Sequence, residues 1–540
     1  TDDDNFLAAS DTVTITAAFS EVMTSTPTIS ISGTSISNQV MIGLSGPSST
    51  GTITQIQIGG DIEGKAIYSN YERLGGGYGS VKLSSNGNRL ILGVDANGKK
   101  GYARVYDYQL ISGTATWTQI GPDFDGDTNG DKFGEAVAIS SDGDRIAIGS
   151  PGDSPSSVKI FDYTPSGTNS WTQVGSTITG SGLLGGYYSI SFASNGSRIA
   201  IGDASGNYVK IFDWDDPNWV QVGANLTAGS WNDSFGRSIS LTPDGNRIAI
   251  GAEGADLSNS LTNYGEITVY DYQVISGTAT WTKVGNSIWG EANAKALGAF
   301  QMSISSDGSR LAVGNPDAFN YKGQTRVYEL DGNTWSQIGS DINGSVTSEN
   351  VGYSTNLSAD GTRLVTSARG LPSSGITPGA VKVFNWDGSD WVEQAIIYGE
   401  NNADQFGHSI SLTPDGSRLA VSAPLNDRAN TNAGHVRIFD LGPSGNRYVY
   451  NWDVDSGGAP SDGTYTVTVT GADLAGNAYS GTESITFTLD TTSPTVTLTD
   501  TDADNLVSAS EVVTITAGFS EAMTATPTIS ITGIVSSVIM

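Results

Sequence analysis

Two acidic segments contain the residues with the clearest potential for binding chemistry. Both place oxygen-bearing side chains at alternate positions, a spacing that can direct several of them at one hard cation. The first segment also contains Gly130, which permits a tight turn, whereas Glu, expected later in such a loop, is displaced by one position to Glu135. The sequence therefore predicts Ca²⁺ at both segments, with a hydrated acidic loop and a solvated linker as the respective alternatives. The predicted ligands are Asp123, Asp125, Asp127, Asn129 and Asp131 in the first segment, and Asp500, Asp502 and Asp504 in the second.

Residue types suited to catalysis are scarce. The chain has two histidines, His408 and His435, and no cysteine. Neither histidine lies in a sequence pattern typical of an activated nucleophile, and both are expected to be structural or solvated. The segment from Asp331 to Trp335 only approximates the Asp-box repeat of sialidases, and no carboxylate pair suggests a glycosidase. The sequence predicts that the chain is not an enzyme, with glycosidase as the least favoured alternative.

Two tryptophans are candidates for ligand binding. Trp231 and Trp289 depart from the regular tryptophan spacing described below and lie in predicted loops, near Asn232 and Glu291. Aromatic rings in loops can stack on sugar rings. The alternative is that each tryptophan covers a junction between two repeats.

Charge and composition exclude several classes of partner. With 26 basic and 56 acidic residues the net charge is −30, so nucleic acid and anionic lipid are not expected to bind. No apolar run approaches the roughly 20 residues of a membrane span, so no membrane insertion is expected. The absence of cysteine fits large exported proteins of bacterial type, and we predict an extracellular or cell-surface location. Residue 1 lies inside a predicted domain, so the sequence is expected to be a fragment.

A repeated segment predicts the architecture that must position these residues. Asp244-Gly-Asn-Arg-Ile-Ala-Ile-Gly251 recurs in recognisable form seven times, at intervals of 49 to 63 residues. Each copy lies between short alternating stretches, and a tryptophan-marked stretch follows six of the seven copies. Four short strands per copy, joined by Asp-Gly or Asn-Gly turns, are typical of a propeller blade. The copies begin at Asn86, Asp142, Asn195, Asp244, Asp307, Asp360 and Asp415.

The missing fourth strand indicates how the ring closes. Residues 53–58 resemble the tryptophan-marked stretch and precede the first copy, so they are expected to complete the last blade beside 435–440. Every second strand begins with Arg, and every third strand ends with a polar residue, such as Arg198 and Asp213. Antiparallel pairing would make these residues cross-strand neighbours. We interpret them as structural pairs rather than as a ligand-binding ring.

The blades resemble a known repeat family. Phe133-Gly134, Phe235-Gly236 and Phe406-Gly407, each preceding a first strand, are similar to the FG-GAP repeats of integrin α-subunits. The resemblance covers roughly residues 48 to 445 and implies a seven-bladed propeller. Members of that family often carry a calcium loop between the first two strands of a blade. Only a tight turn stands there in this sequence, so family-type calcium sites are not expected in those hairpins.

The two ends of the chain repeat each other. Residues 13–33 and 513–533 are nearly the same sequence, and further strands are expected within 448–452, 465–469 and 485–489. About seven strands suit an immunoglobulin-like sandwich, and the pattern resembles bacterial Ig-like domains strung in tandem in surface adhesins. The predicted fold is therefore all-β: a seven-bladed β-propeller inserted into an Ig-like β-sandwich, followed by the first half of a second sandwich. The predicted domains are residues 1–46 (first half of the sandwich), 47–445 (propeller), 446–490 (second half) and 491–540 (start of the next sandwich).

These features predict a repeating structural or adhesive module of a large extracellular fibre or cell-surface adhesin, stiffened by Ca²⁺. Neighbouring repeats of the same protein are the expected partners, together with glycans or surface proteins. The alternative is a lectin-like propeller that binds carbohydrate or protein and is displayed on an Ig-like stalk. A glycan array would separate the two, because a purely structural module should bind nothing.

Overall fold

A computed structural model of the chain divides into two units by its internal contacts. The propeller unit comprises residues 18–23 and 43–448, and the terminal unit comprises residues 1–17, 24–42 and 449–540. Outside the propeller the structure describes the strands given below and residues 501 and 514. Within the propeller unit it describes residues 56–64, 73–94, 100–111, 114–165, 170–228, 233–258, 263–291, 297–370, 378–427 and 433–442. It also describes the strand residues 18, 43, 447 and 448.

The chain begins with seven short strands. They are β1 (Phe6–Leu7), β2 (Thr12–Ala18), β3 (Thr28–Ile31), β4 (Gln39–Val40), β5 (Ile42–Gly43), β6 (Ile56–Gln57) and β7 (Ile62–Glu63).

Thirty further strands build seven blades, each with an inner, a second, a third and, in blades 1 to 6, an outer strand. Blade 1 contains β8 (Val81–Leu83), β9 (Arg89–Val94), β10 (Tyr102–Ile111), β11 (Thr114–Gln119) and the short β12 (Phe124–Asp125). Blade 2 contains β13 (Val137–Ile139), β14 (Arg145–Ser150), β15 (Ser157–Thr164), β16 (Ser170–Gln173) and β17 (Ile178–Thr179). Blade 3 contains β18 (Ile190–Phe192), β19 (Arg198–Asp203), β20 (Tyr208–Asp215), β21 (Asn218–Gln221) and β22 (Leu226–Thr227).

The remaining blades follow the same order. Blade 4 contains β23 (Phe235–Leu241), β24 (Arg247–Ala252), β25 (Glu266–Ile275) and β26 (Thr278–Trp289). Blade 5 contains β27 (Met302–Ile304), β28 (Arg310–Asn315), the one-turn segment α1 (Ala318–Tyr321), β29 (Gln324–Asp331) and β30 (Thr334–Asn343). Blade 6 contains β31 (Val351–Leu357), β32 (Arg363–Ala368), β33 (Ala380–Trp386) and β34 (Trp391–Tyr398), and blade 7 contains β35 (Ile410–Leu412), β36 (Arg418–Ala423) and β37 (His435–Asp440).

The blades form a closed ring. Each inner strand contacts the next, and β35 of blade 7 contacts β8 of blade 1. In blade 7 the place of the outer strand is taken by β6, which pairs antiparallel with β37 so that Ile56 lies opposite Asp440. The second strands are the core of each blade: every residue of β19 after Arg198 is buried. This arrangement confirms the predicted all-β, seven-bladed propeller.

Arginine side chains connect the blades as well as the strands within them. In all seven blades the Arg that begins the second strand lies opposite the polar residue of the third strand predicted to be its neighbour. Arg198, for example, donates from Nε and Nη2 to the Asp213 carboxylate at 2.6 and 2.8 Å. Its Nη1 donates to the Gly245 carbonyl in the turn of the next blade at 2.9 Å. The same bond recurs around the ring and ends with Arg418 donating to Gly87 of blade 1 at 2.7 Å.

Close backbone contacts also hold the blades together. In blades 1 to 5 the fifth residue of the second strand is Gly, packed against a Gly within or shortly before the next inner strand. A Cβ on Gly202 would lie 2.0 Å from the Gly236 carbonyl oxygen, well inside van der Waals contact. The spacing between blades therefore excludes a side chain at this position.

The terminal unit contains the remaining strands. They are β38 (Arg447–Asp453), β39 (Gly463–Thr470), β40 (Ile485–Leu489), β41 (Val496–Asp500), β42 (Ile515–Phe519), β43 (Thr528–Ile531) and β44 (Val535–Ile539). One sheet has the order β1-β40-β39-β3-β4 and a second the order β2-β38-β5, so both sheets draw strands from segments on either side of the propeller in the sequence. In the described residues no helix has the length and apolar character required to cross a membrane.

Candidate functional site

Aromatic side chains from five blades meet at one end of the central channel. Equivalent inner strands run in the same direction, so the residues at or just before their first positions gather at the same end. We call this group the channel-mouth cluster. It consists of Tyr78 (blade 1), Tyr187 and Tyr188 (blade 3), Phe300 (blade 5), Tyr353 (blade 6) and His408 (blade 7).

The rings of the cluster are in mutual contact across the channel. The ring centroid of Tyr353 lies 5.2 Å from those of both Phe300 and His408, and the Tyr78 centroid lies 5.9 Å from that of His408. The Tyr188 hydroxyl donates to the backbone carbonyl of Tyr353, three blades away, at 3.4 Å. Tyr188, Tyr353 and His408 are buried, whereas Tyr78 and Phe300 are partly exposed. The buried rings of Tyr188, Tyr353 and His408 therefore form an aromatic floor, and the other rings of the cluster are partly exposed.

Two arginines lie on this aromatic surface. The guanidinium carbon of Arg369 is 3.7 Å from the Tyr353 ring centroid, and that of Arg237 is 4.1 Å from the Tyr187 centroid. These distances suit cation–π attraction. Arg237 Nη1 also donates to Glu253 Oε1 at 2.6 Å. The mouth thus combines aromatic faces, guanidinium groups and a carboxyl group.

Burial favours the uncharged form of four titratable groups at the mouth. It raises the pKa of the Tyr188 and Tyr353 phenols and lowers the pKa of the His408 imidazole, which the positive charge of Arg369 lowers further. Burial also raises the pKa of Glu253, although the contact with Arg237 opposes the change. At neutral pH the Tyr188 and Tyr353 phenols and the His408 imidazole are therefore neutral.

A polar cavity lies deeper in the channel. It has a volume of about 110 Å³ and is lined by Tyr188 and by side chains of the inner strands, including Lys82, Ser240 and Asn356. The inner-strand serines have a structural role, because Ser240 Oγ accepts the Ile304 N–H of the next blade at 3.1 Å. Burial lowers the pKa of Lys82 to about 8. A lysine therefore lies beneath the aromatic floor.

The structure separates the carboxylates of the first predicted calcium segment. Asp123 accepts from Arg104 Nε at 3.0 Å, and Asp127 pairs with Lys159 at 2.8 Å. Asp131 is fully buried and accepts backbone N–H groups of its own loop and of Gly101. Asp125 and Asn129 are exposed. These residues are not gathered around one point, and the calcium assignment stays a prediction.

The other predicted site residues give less information. Asp500 is exposed at the end of β41, whereas Asp502, Asp504 and Trp231 lie outside the described residues. Trp289 ends β26 opposite Glu266 and packs half-buried against the core of blades 3 and 4. Trp289 is therefore not part of the channel-mouth cluster.

The sequence analysis missed the channel mouth because its residues differ from blade to blade. The position directly before Ser238 or its equivalents is Glu135, Arg237, Tyr353 or His408, depending on the blade. The position could have been found from the repeat, because in these four blades it follows the Phe-Gly or Val-Gly pair that recurs near the start of the inner strand. His408, interpreted from sequence as structural or solvated, is buried within this cluster.

Comparison with known proteins shows similarity at the level of fold. No family model and no curated protein matches the chain. Among solved structures, a protein from Bacteroides uniformis described as a candidate 6-phosphogluconolactonase matches at 14% identity and TM-score 0.43, over 74% of this chain and 96% of that one. A second candidate 6-phosphogluconolactonase, from Bacteroides fragilis, matches at 11% identity and TM-score 0.43, over 66% and 98%. The Cps50 (Swd1) β-propeller domain of Myceliophteria thermophila matches at 13% identity and TM-score 0.43, over 71% and 99%.

These matches correct one prediction. The sequence analysis predicts that the chain is not an enzyme, but two of the matching propellers are described as candidate enzymes. That exclusion is therefore withdrawn. At these identities the similarity concerns the fold, and it assigns no reaction to this chain. The seven-bladed β-propeller of this chain is shown by its own strand pairing and inner-strand contacts.

Proposed function

We propose that the propeller is an adhesive binding module whose channel mouth takes up a carbohydrate carrying a carboxylate or another anionic group. The observation that carries the proposal is the convergence of aromatic rings from five blades with two arginines placed on ring faces. Aromatic faces stack on the apolar faces of sugar rings, and a guanidinium forms charge-assisted hydrogen bonds with a carboxylate. The ligand class follows from this combination of groups.

The charge of the chain makes this surface distinctive. At a net charge of −30 the protein as a whole repels anions. At the mouth, however, two partly exposed arginines lie on aromatic rings, Arg237 on Tyr187 and Arg369 on Tyr353. An anionic ligand is therefore favoured at the mouth over the rest of the surface. Glu253, half-buried against Arg237, leaves a hydrogen-bonding carboxyl group for ligand hydroxyls.

A glycan array probed with the full chain tests the proposal. We expect binding to acidic glycans, a reduction of at least tenfold in affinity for Tyr187→Ala and Arg369→Gln, and no change for Tyr398→Ala. Tyr398 is 61% exposed at the end of β34 and serves as the matched aromatic control. Absence of glycan binding, or equal binding by the Tyr187 and Tyr398 variants, would contradict the proposal.

We further propose that the module belongs to a repeating extracellular protein and that the terminal unit is an Ig-like sandwich into which the propeller is inserted. Two observations support this view: residues 13–33 and 513–533 are nearly the same sequence, and β3 pairs with β39. Joining residues 1–46 to 446–490 through a short linker tests the insertion. A cooperatively folded β-domain is expected, and an unfolded product would count against the sandwich.

A further inference from the structure

Three potential metal ligands meet at the junction of blades 6 and 7. One ligand atom from each of Asp61, Glu400 and His435 lies within 4.8 Å of the others. Asp61 Oδ2 is 3.6 Å from His435 Nδ1, and both side chains are buried, at 5% and 1% exposure. Ligand atoms placed 2.1 Å from a tetrahedral Zn²⁺ lie about 3.4 Å apart, so the distance between Asp61 and His435 suits a zinc site. The exposed Glu400 carboxylate must approach them to complete the site.

Three separate parts of the propeller supply these residues. His435 is the first residue of β37, and Asp61 directly precedes β7, which pairs with β37 so that Glu63 lies opposite His435. Glu400 follows the outer strand of blade 6. The group therefore connects the N-terminal segment that closes the ring, the last blade and the blade before it.

The equivalent junction between blades 4 and 5 shows how such carboxylates are otherwise neutralised. There Arg326 Nε donates to Asp341 Oδ1 at 2.8 Å, and its Nη1 donates to Glu291 Oε1 at 2.7 Å. Glu291 occupies the place of Glu400, because each follows a Gly after an outer strand. Gln324 stands where β37 has His435 and donates to Asp341 Oδ2 at 2.9 Å. At that junction one guanidinium bridges both carboxylates.

The corresponding arginine of blade 7 is directed elsewhere. Arg437 Nε donates to Gln57 Oε1 at 2.8 Å and stays 3.9 Å from Asp61 Oδ1. Asp61 accepts from Gln57 Nε2 at 2.6 Å, as Asp341 accepts from Gln337 Nε2 at 2.9 Å, and its second oxygen lies toward His435. His435 thus takes the place of Gln324, and Nε of Arg437 donates to Gln57 where Nε of Arg326 donates to Asp341.

We propose that Asp61, Glu400 and His435 bind a divalent transition metal, with Zn²⁺ as the best fit. The bound metal holds the first and last segments of the propeller ring together. An imidazole nitrogen and two carboxylates are ligands that Zn²⁺ accepts, and water completes the tetrahedron. Because the metal binds the folded ring and joins its first and last segments, it opposes opening of the closure. The hydrogen bond from Gln57 to Asp61 orients one ligand from outside the metal sphere.

Metal binding by the full chain tests the proposed site. After removal of metal by chelation, titration with Zn²⁺ by calorimetry is expected to show a site of micromolar or tighter affinity, and Co²⁺ to give the visible absorption of tetrahedral coordination. His435→Gln copies the residue of the equivalent junction and is expected to retain the fold while weakening binding at least a hundredfold. Glu400→Gln is expected to weaken binding at least tenfold, and the matched Glu291→Gln variant to leave binding unchanged.

The background from other strong ligands is low, since the chain has no cysteine and His408 is its only other histidine. We also expect Zn²⁺ to raise the melting temperature of the wild type and not that of His435→Gln. The proposal is overturned by a wild type that binds no Zn²⁺, or by His435→Gln and Glu400→Gln variants that bind it as tightly as Glu291→Gln.

Discussion

Asn385 interrupts the ring of arginine–carboxylate pairs, and its replacement by Asp is expected to stabilise the propeller. In blades 1 to 4, Nε and Nη2 of the arginine each donate to one carboxylate oxygen. In blade 6, Arg363 Nε donates to Asn385 Oδ1 at 2.9 Å. Arg363 Nη2 and Asn385 Nδ2 are buried donors without a hydrogen-bond partner in the described part of the chain. Asn385→Asp exchanges the second donor for an acceptor.

The size of the effect follows from this environment. A buried donor without a partner costs about 1–3 kcal/mol. Burial also lowers the pKa of Arg363 to about 10, which corresponds to about 3 kcal/mol at roughly 1.4 kcal/mol per pKa unit. Because the new carboxylate must itself lose water, only part of this energy is recovered. We expect a net stabilisation of about 2 kcal/mol, or about 2–3 °C in melting temperature for a domain of this size.

Urea unfolding followed by tryptophan fluorescence measures this change. The pairing requires an ionised carboxylate, whose pKa in the folded state would lie below its unfolded value near 3.9, so the gain is present above that pH and is lost as pH falls through the folded pKa. The reciprocal control, Asp162→Asn in blade 2, is expected to lose about 1 kcal/mol, because its pair with Arg145 is partly exposed. The reasoning is refuted by an Asn385→Asp variant no more stable than the wild type at pH 7, or by a gain at pH 3 as large as the gain at pH 7.

Three further predictions concern packing, acid stability and calcium. Gly202→Ala should destabilise the propeller by about 3 kcal/mol in the same urea assay, whereas Gly60→Ala, with open space around its Cβ, should be neutral; equal effects would contradict the blade contact. The lowered pKa of His408 means that its protonation favours unfolding, so the stability of the propeller should decline as pH falls below 6.5. His408→Gln should remove part of that decline, and identical pH profiles of stability for the variant and the wild type would contradict this. Because Asp123, Asp127 and Asp131 are held apart by separate partners, Ca²⁺ added to metal-free protein should leave the melting temperature unchanged. A rise that Asp127→Asn reduces would contradict this expectation and support the acidic loop as a calcium site.

The strand register could be predicted from sequence because each blade encodes it locally. Arg198 and Asp213 are 15 residues apart in neighbouring strands, and the intervening turn fixes which residues face each other. The bond from the same arginine to Gly245 could not be derived in this way, because it depends on the distance between blades. That distance is determined by close backbone contacts such as Gly202 with Gly236, whose effect appears only when neighbouring blades are in place.

The two candidate sites depend on ring closure, which explains why residue spacing did not reveal them. Tyr188 and the Tyr353 carbonyl are 165 residues apart and meet only because seven inner strands surround one channel. Asp61 reaches His435 because residues near the beginning of the propeller complete its last blade. A test of closure therefore bears on both sites: a variant that opens the ring would separate Asp61 from His435 and would also remove the convergence of rings at the mouth. Conversely, Zn²⁺ bound at the closure should strengthen glycan binding at the mouth only to the extent that open rings are populated without it.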